Sequence, residues 1–267
     1  MLELQNGYML NGDCLELMKD IADKSIDYVI TSPPYNLNVK RKSGDMYNKK
    51  YISHQDHMSN DSYIEWQISI FKELCRILST DGVILYNINY GGENNETLWL
   101  LLARLIENTD FTIADQIVWK KQVAIPNNRS KNKLTRICEN VFVIVRKQEY
   151  MTFNTNKKVK SIVERTGQAN YENVYNFIEA PNNNKGDHTK LHKATYSIEL
   201  VQNLIDIYVK ENSLVLDPFS GSGTTAIACI NTNRNYICIE KDETYFNKSV
   251  ERINNHVRTA KWLHVKR

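Results

Sequence analysis

Asp217-Pro218-Phe219-Ser220-Gly221-Ser222-Gly223-Thr224-Thr225 follows the apolar run Leu214–Leu216. A short apolar run that passes into closely spaced glycines reads as a strand-turn-helix junction, where a backbone can approach a small cofactor. Glu240 closes the next apolar run, Tyr236–Ile239, 19 positions after Gly221. Glycines followed by an acid at this interval form a dinucleotide-type fingerprint, with the acid placed for ribose hydroxyls. No lysine follows the glycines, so a P-loop for ATP is excluded. A carboxylate at Asp217 would face a pyrophosphate unfavourably but would suit a cationic sulfonium or its ammonium group. S-adenosylmethionine therefore fits better than NAD.

Outward from this junction, short apolar runs alternate with helical patterns. That rhythm predicts an α/β fold built on a doubly wound, seven-stranded, mostly parallel sheet. The expected strands are Tyr8–Leu10, Ile26–Ile30, Val83–Asn87, Thr112–Trp119, Asn140–Val145, Leu214–Leu216 and Tyr236–Ile239. Ile64, Ile68, Phe71, Leu74 and Leu78 recur at helical spacing, with Ser62 and Glu65 as the expected capping box. Further helices are expected over Ile198–Val209, after Asp242 as N-cap, and more weakly over Thr97–Ile106. Asn38–Asn60 reads as a long mobile loop, and Thr152–Lys190 as an apolar-poor stretch; such segments in compact domains are usually functional or disordered.

The second informative stretch is Thr31-Ser32-Pro33-Pro34-Tyr35, after the apolar run Ile26–Ile30. The stretch resembles the catalytic motif of the DNA amino-methyltransferases. The resemblance implies as target an exocyclic amine on adenine or cytosine, a poor nucleophile because its lone pair is delocalised into the ring. Two acceptors aimed at its two hydrogens would pull the nitrogen towards tetrahedral geometry and free that pair. Ser32 Oγ and the Pro33 carbonyl are suitable acceptors, and Pro33 and Pro34 hold that carbonyl in a fixed direction. Tyr35 can stack on the base. A target inside a duplex must first be flipped out, at a cost of a few kcal/mol, and stacking worth about 1–3 kcal/mol helps offset it. Taken alone, the two prolines would be only a rigid turn and Tyr35 a packed ring; the glycine motif elsewhere in the chain favours the chemical reading.

Composition sets the limits. The 267 residues suffice for one large α/β domain with a small insert, and 42% hydrophobic with 24% charged residues is ordinary for a globular protein. No run reaches the roughly 18 apolar residues of a membrane span, and the N-terminus lacks a signal-peptide pattern, so a cytoplasmic protein without membrane partners is expected. Cys14, Cys75, Cys138, Cys229 and Cys238 include no CxxC pair, which argues against a zinc site or a disulfide framework. Net charge is only +3, but between Gln116 and Cys138 six basic residues meet no acid. Lys40, Arg41 and Lys42, together with Arg129, Lys131, Lys133 and Arg136, flank the presumed reaction centre and favour a polyanion partner, which the family resemblance implies is double-stranded DNA.

The two motifs together resemble those of the DNA amino-methyltransferases, which act on adenine N6 or cytosine N4. DPFSGSGTT is similar to their cofactor motif and TSPPY to their catalytic motif. The catalytic motif precedes the cofactor motif by 185 positions, a circularly permuted order that resembles the β class. The resemblance implies a Rossmann-like class I methyltransferase fold and S-adenosylmethionine as cofactor. It implies catalytic roles for Ser32, Pro33, Pro34 and Tyr35, and cofactor contacts from Asp217, Pro218, Phe219, Gly221, Ser222, Gly223, Thr224, Thr225 and Glu240. Asn11-Gly12-Asp13-Cys14 is similar to the segment that holds the cofactor's adenine, although Asp13 also suits a helix cap. His192-Lys193-Ala194-Thr195-Tyr196 is similar to the segment that touches the methionine end. By position, residues 151–190 are expected to form the target-recognition insert between a catalytic half, 1–150, and a cofactor half, 191–267. A homodimer is also implied.

Alternatives remain at this level. RNA or protein N-methyltransferases of the same fold use a similar tetrapeptide but normally place the cofactor motif first. A nicotinamide-dependent oxidoreductase would rest on the glycine fingerprint alone. Cytosine C5 chemistry is disfavoured, since its cysteine nucleophile follows proline and none of the five cysteines here does. Serine at the first position resembles cytosine-N4 enzymes more often than adenine-N6 enzymes, which leans the reading to N4 with N6 as the alternative. The recognition sequence, and the existence of a cognate restriction endonuclease, cannot be read.

Overall fold

A computed structural model describes residues 1–36, 58–89, 95–124, 126, 131–182 and 196–265. The first half runs β1 (Leu2–Leu4), β2 (Gly7–Asn11), α1 (Cys14–Met18), β3 (Ile26–Thr31), α2 (Asn60–Ile77), β4 (Leu78–Ile88), α3 (Asn95–Asn108), β5 (Phe111–Lys121) and β6 (Cys138–Arg146). The second runs β7 (Val159–Ile162), β8 (Ala169–Tyr171), β9 (Phe177–Ala180), α4 (Ile198–Tyr208), β10 (Leu214–Asp217), α5 (Thr224–Asn231), β11 (Asn235–Glu240) and α6 (Glu243–Val265).

The main sheet has nine strands in the order β1-β2-β11-β10-β3-β4-β6-β5-β9, and β7 pairs with β8 in a separate hairpin. All seven expected strands are present. The count is corrected by two short edge strands: β1, antiparallel to β2, and β9, parallel to β5. Three or four residues carry too little periodicity to be read in advance, and their place is set by pairing. Thr152–Lys190 is thus richer in structure than its composition suggests. β9 belongs to the main sheet, where Trp119 Nε1 donates to the Ala180 carbonyl at 3.2 Å. The expected loop Asn38–Asn60 falls mostly outside the described residues.

Helix α2 opens at Ser59, not at Ser62. Ser59 has the extended backbone of a cap and its Oγ accepts the Ser62 amide at 3.2 Å, so Ser62 lies inside the first turn. The other end of the reading holds: Asp242 Oδ1 accepts the Tyr245 amide at 2.9 Å at the start of α6.

Two apolar layers cover the sheet. On one face lie Leu200, Leu204 and Ile205 of α4 with Ala226 and Ile227 of α5. On the other lie Ile64, Phe71 and Leu74 of α2 with Leu98, Leu101 and Leu105 of α3. β3 and β10 are central, parallel and buried on both faces, which explains their near-continuous apolar runs. None of the described helices is long and apolar enough to cross a membrane.

The topology fixes where a ligand can bind. From β10 the chain passes through α5 to β11 on one side, whereas from β3 it passes through α2 to β4 on the other. β10 and β3 are neighbours, with Val215 opposite Tyr28 and Leu216 opposite Val29. The crevice beyond their carboxyl ends is therefore the switch point at which open α/β sheets bind ligands. Both motifs leave the sheet there, side by side, although most of the chain separates them in sequence.

Candidate active site

Asp217 ends β10 and fastens the two motifs to each other. It is 0% exposed. Its Oδ1 accepts from Thr31 Oγ1 at 2.7 Å and from the Phe219 amide at 3.1 Å. Its Oδ2 accepts from Thr225 Oγ1 at 2.5 Å and from Tyr196 Oη at 3.1 Å. This corrects the expectation of an ionic contact with a sulfonium or ammonium: the carboxylate is enclosed and its oxygens are already occupied. Burial pushes the carboxyl's pKa up, while bonds from Thr225, Thr31, the Phe219 amide and Tyr196 pull it back.

The glycine turn follows. Gly221 and Gly223 both have left-handed backbone, φ 50° and 75°, which explains glycine at each. A Cβ on Gly223 would also meet Ile253 Cδ1 at 3.1 Å and Ser249 Cβ at 3.3 Å. Ser222, Thr224 and Thr225 are buried, so their side chains hold the turn in place rather than facing the crevice. Arg252 of α6 grips the turn, donating to the Ser222 carbonyl at 2.8 Å and approaching Ser222 Oγ and Thr224 Oγ1 at 3.0 and 3.2 Å. Burial lowers its pKa to about 10. Nothing in the sequence pattern singled out Arg252, which sits among the polar positions of a long helix.

Glu240, at the end of β11, accepts the Gly221 amide at 2.8 Å through Oε2 and the Asp242 amide at 2.9 Å through Oε1. Desolvation raises its pKa to about 7, against the lowering effect of those two amides. Ser220 Oγ, not among the expected site residues, is buried and has no hydrogen-bond partner among the described residues. A buried hydroxyl left unpaired costs free energy that a polar ligand would recover.

The Ser-Pro-Pro-Tyr segment sits beside this turn, and α2 braces both. Tyr63 donates to the Pro34 carbonyl at 2.7 Å, and Trp66 packs edge-on against Phe219 with ring centroids 5.6 Å apart. The Pro34 carbonyl is thereby engaged within the protein. Tyr35 is partly exposed at its ring but anchored at its hydroxyl, which lies 3.1 Å from Ser32 Oγ, 3.1 Å from Glu139 Oε2 and 3.2 Å from Asn87 Oδ1. Burial first, and the Glu139 charge second, hold the phenol's pKa well above its ordinary value. Glu139 is also ion-paired with Lys121. Asn87, Glu139 and Lys121 come from the ends of β4, β6 and β5 that border the crevice, and motif reading identified none of them.

Other expected residues fall elsewhere. Asp13 caps α1, its Oδ1 accepting the Leu15 amide at 2.9 Å, while Oδ2 pairs with Lys241 at 3.0 Å. Cys14 is buried in the core, and burial pushes its thiol up to about 12, so only its backbone is available to a ligand. Lys131, Lys133 and Arg136 are exposed between β5 and β6. His192, Ala194, Lys40, Arg41, Lys42 and Arg129 lie outside the described residues.

With this geometry in hand, comparison with known proteins is informative. The family model described as DNA methylase, for N6 and N4 enzymes, matches residues 26–251. The type II methyltransferase M.HinfI of Haemophilus influenzae is 26% identical over 264 residues, spanning 92% of this chain and 67% of its own length. Among solved structures, the cytosine-N4-specific PvuII DNA methyltransferase superposes with a TM-score of 0.70 at 20% identity, covering 94% of this chain and 91% of that one. The M1.HpyAVI–SAM complex superposes with a TM-score of 0.62 at 24% identity, covering 93% and 99%. These structural likenesses establish the Rossmann-like fold, and the family match sets aside the oxidoreductase alternative. The chain belongs to the N6/N4 DNA methylase family and is a DNA amino-methyltransferase, with its catalytic motif ahead of its cofactor motif.

Proposed function

We propose that this chain transfers a methyl group from S-adenosylmethionine to N4 of a flipped-out cytosine within a specific sequence of duplex DNA. The observation that carries the reading is the adjacency of the Ser32–Pro33 acceptors and the Gly221–Gly223 turn at the ends of two neighbouring parallel strands. Serine at the first motif position, by the family resemblance, favours cytosine over adenine. Nucleoside analysis of duplex DNA methylated in vitro tests this directly: N4-methylcytosine is expected, and N6-methyladenine would reassign the base.

The residues fit the cofactor. Glu240 offers carboxylate lone pairs to ribose hydroxyls, the two left-handed glycines allow close backbone approach, and Ser220 Oγ is an orphaned polar group beside them. When bound, the cofactor supplies an electrophilic methyl on a sulfonium. Ser32 Oγ and the Pro33 carbonyl take the two amine hydrogens, and the exposed part of the Tyr35 ring stacks on the base. Positioning and electrostatics then lower the barrier without a covalent intermediate.

Glu240 gives this reading a pH signature. Its carboxyl has a pKa of about 7 in the free protein, above its ordinary value of 4.5. Ribose hydroxyls need the ionised form. Cofactor affinity should therefore be full above pH 7 and weaken by roughly tenfold per unit below it. Calorimetry across that range checks this, and a flat profile would remove Glu240 from the ribose.

Residues 151–190 supply sequence recognition in this reading, and the exposed cations between β5 and β6 contact phosphates. Replacing Lys131 and Lys133 together by alanine should weaken all DNA binding while sparing sequence preference. The slope of log affinity against log salt should shrink by about 0.9 for each phosphate that the variant no longer neutralises. An unchanged slope would return both lysines to ordinary solvated surface. The family resemblance further supports a homodimer, which sedimentation would test. The type II names of relatives such as M.HinfI make a cognate restriction endonuclease a candidate partner, which a search for sequence-matched cleavage would test.

A further inference from the structure

Methylation of an exocyclic amine must dispose of one proton, and the structure contains an ordered path for it. Ser32 Oγ, Tyr35 Oη and Glu139 Oε2 stand in a row with successive separations of 3.1 Å and 3.1 Å, and Lys121 is ion-paired with the far carboxylate oxygen of Glu139. Glu139 lies on β6, far from both motifs in sequence, and its side chain is only 15% exposed. A salt bridge alone would not require a tyrosine hydroxyl turned inward onto it.

The direction of each bond in this row follows from chemistry. An ionised carboxylate only accepts, so Tyr35 donates its single hydroxyl proton to Glu139. The Tyr35 oxygen is then an acceptor, and the Ser32 hydroxyl donates to it. Asn87 competes for the same proton, since its Nδ2 donates to the Asn140 carbonyl at 3.0 Å and its Oδ1 faces the ring hydroxyl at 3.2 Å, but a neutral amide oxygen is a weaker acceptor than the carboxylate at 3.1 Å. Every hydroxyl proton therefore points away from the substrate, and Ser32 Oγ is left with lone pairs facing the crevice. That is the state an amine N–H requires.

We propose that Glu139 is the terminal proton acceptor of the methyl transfer, reached from the amine through Ser32 and Tyr35. This deepens the function proposed above and rests on it. The amine lone pair forms the new N–C bond as the C–S bond breaks, the bonding pair staying on sulfur. The nitrogen, now cationic, gives one proton to Ser32 Oγ. The Ser32 proton passes to Tyr35 Oη, and the Tyr35 proton to Glu139 Oε2. The products are a neutral thioether, a neutral methylamine and a protonated carboxyl, which releases its proton to solvent between turnovers. An amino-protonated base is a far stronger acid than any carboxylic acid, because deprotonation restores delocalisation into the ring. A carboxylate ion-paired with Lys121 is thus basic enough to receive the proton.

Two conservative variants test the path. In Glu139→Gln, Lys121 can only donate and so takes the amide oxygen, leaving the NH2 facing Tyr35 and reversing the row. Tyr35→Phe keeps the ring and removes the relay hydroxyl. Single-turnover methylation of duplex DNA with preloaded cofactor should slow by on the order of 10²-fold in each. The double variant should be no slower than the worse single one, since both break one path. The wild-type rate should depend on deuterium fraction in a curved manner, reporting several protons in flight, and both variants should lose that curvature. A Glu139→Gln rate equal to wild type, multiplicative losses in the double variant, or retained curvature would each overturn the relay. Product analysis on the same samples separates the two proposals. N6-methyladenine would overturn the base assignment and leave the relay standing, because an adenine amine presents the same two hydrogens.

Discussion

Asp217→Ala should cost stability before it costs cofactor affinity. The substitution takes the shared acceptor from four donors, Thr31 Oγ1, Thr225 Oγ1, Tyr196 Oη and the Phe219 amide, in a site closed to solvent, although Thr225 and Tyr196 still bond each other at 2.5 Å. Each buried donor left unpaired costs about 1–3 kcal/mol, and partial rearrangement brings the sum to on the order of 4 kcal/mol. That is a large share of the roughly 5–15 kcal/mol that holds a domain of this kind together. Asp217→Asn keeps the shape and one acceptor oxygen, and should fall between alanine and wild type. Chemical denaturation of the three proteins provides the ranking, and calorimetry at a temperature where all are folded reports cofactor binding. The geometry predicts that any loss of cofactor affinity tracks the loss of stability, because the carboxylate reaches the ligand only through the turn it anchors. Full stability with abolished cofactor binding in the alanine variant would instead return Asp217 to direct contact with the methionine end.

Asp217 also shows what the sequence could and could not convey. Its importance was legible from the motif; its mode of action was not. A carboxylate before a glycine turn is consistent with either a ligand contact or an internal anchor. The choice depends on Thr31, brought close by the pairing of β3 with β10, and on Tyr196, which reaches the carboxylate from just before α4. The central strands β3 and β10 were legible because buried parallel strands leave continuous apolar runs. The edge strands β1 and β9 were not, since a few half-exposed residues are assigned by their neighbours. Asp13 illustrates the competing use of one residue type, with its carboxylate spent on a helix cap and a lysine. Arg252, Asn87 and Glu139 were invisible for a shared reason: each is a single polar residue whose partner is supplied by another strand or helix.

Ser32→Ala should produce the opposite dissociation, normal cofactor binding with a collapse of turnover. Ser32 lies at the end of β3, whereas the proposed cofactor contacts belong to the turn after β10 and to Glu240 at the end of β11. Asp217 couples the two motifs through Thr31, not through Ser32, so the alanine leaves that bond in place. The lost hydroxyl takes with it one of the two acceptors for the amine and the donor to Tyr35. Removing one preorganised hydrogen-bonding group that acts mainly in the transition state costs about 10²–10³ in rate, and a loss of this size is expected here. The effect should appear in kcat with little change in KM for DNA, since an amine hydrogen bonds nearly as well to water before reaction as to serine. Single-turnover kinetics on preloaded enzyme isolate the step. A loss confined to cofactor affinity, with single-turnover chemistry intact at saturation, would move the amine acceptor away from Ser32 and leave the Pro33 carbonyl as the motif's remaining acceptor for the amine.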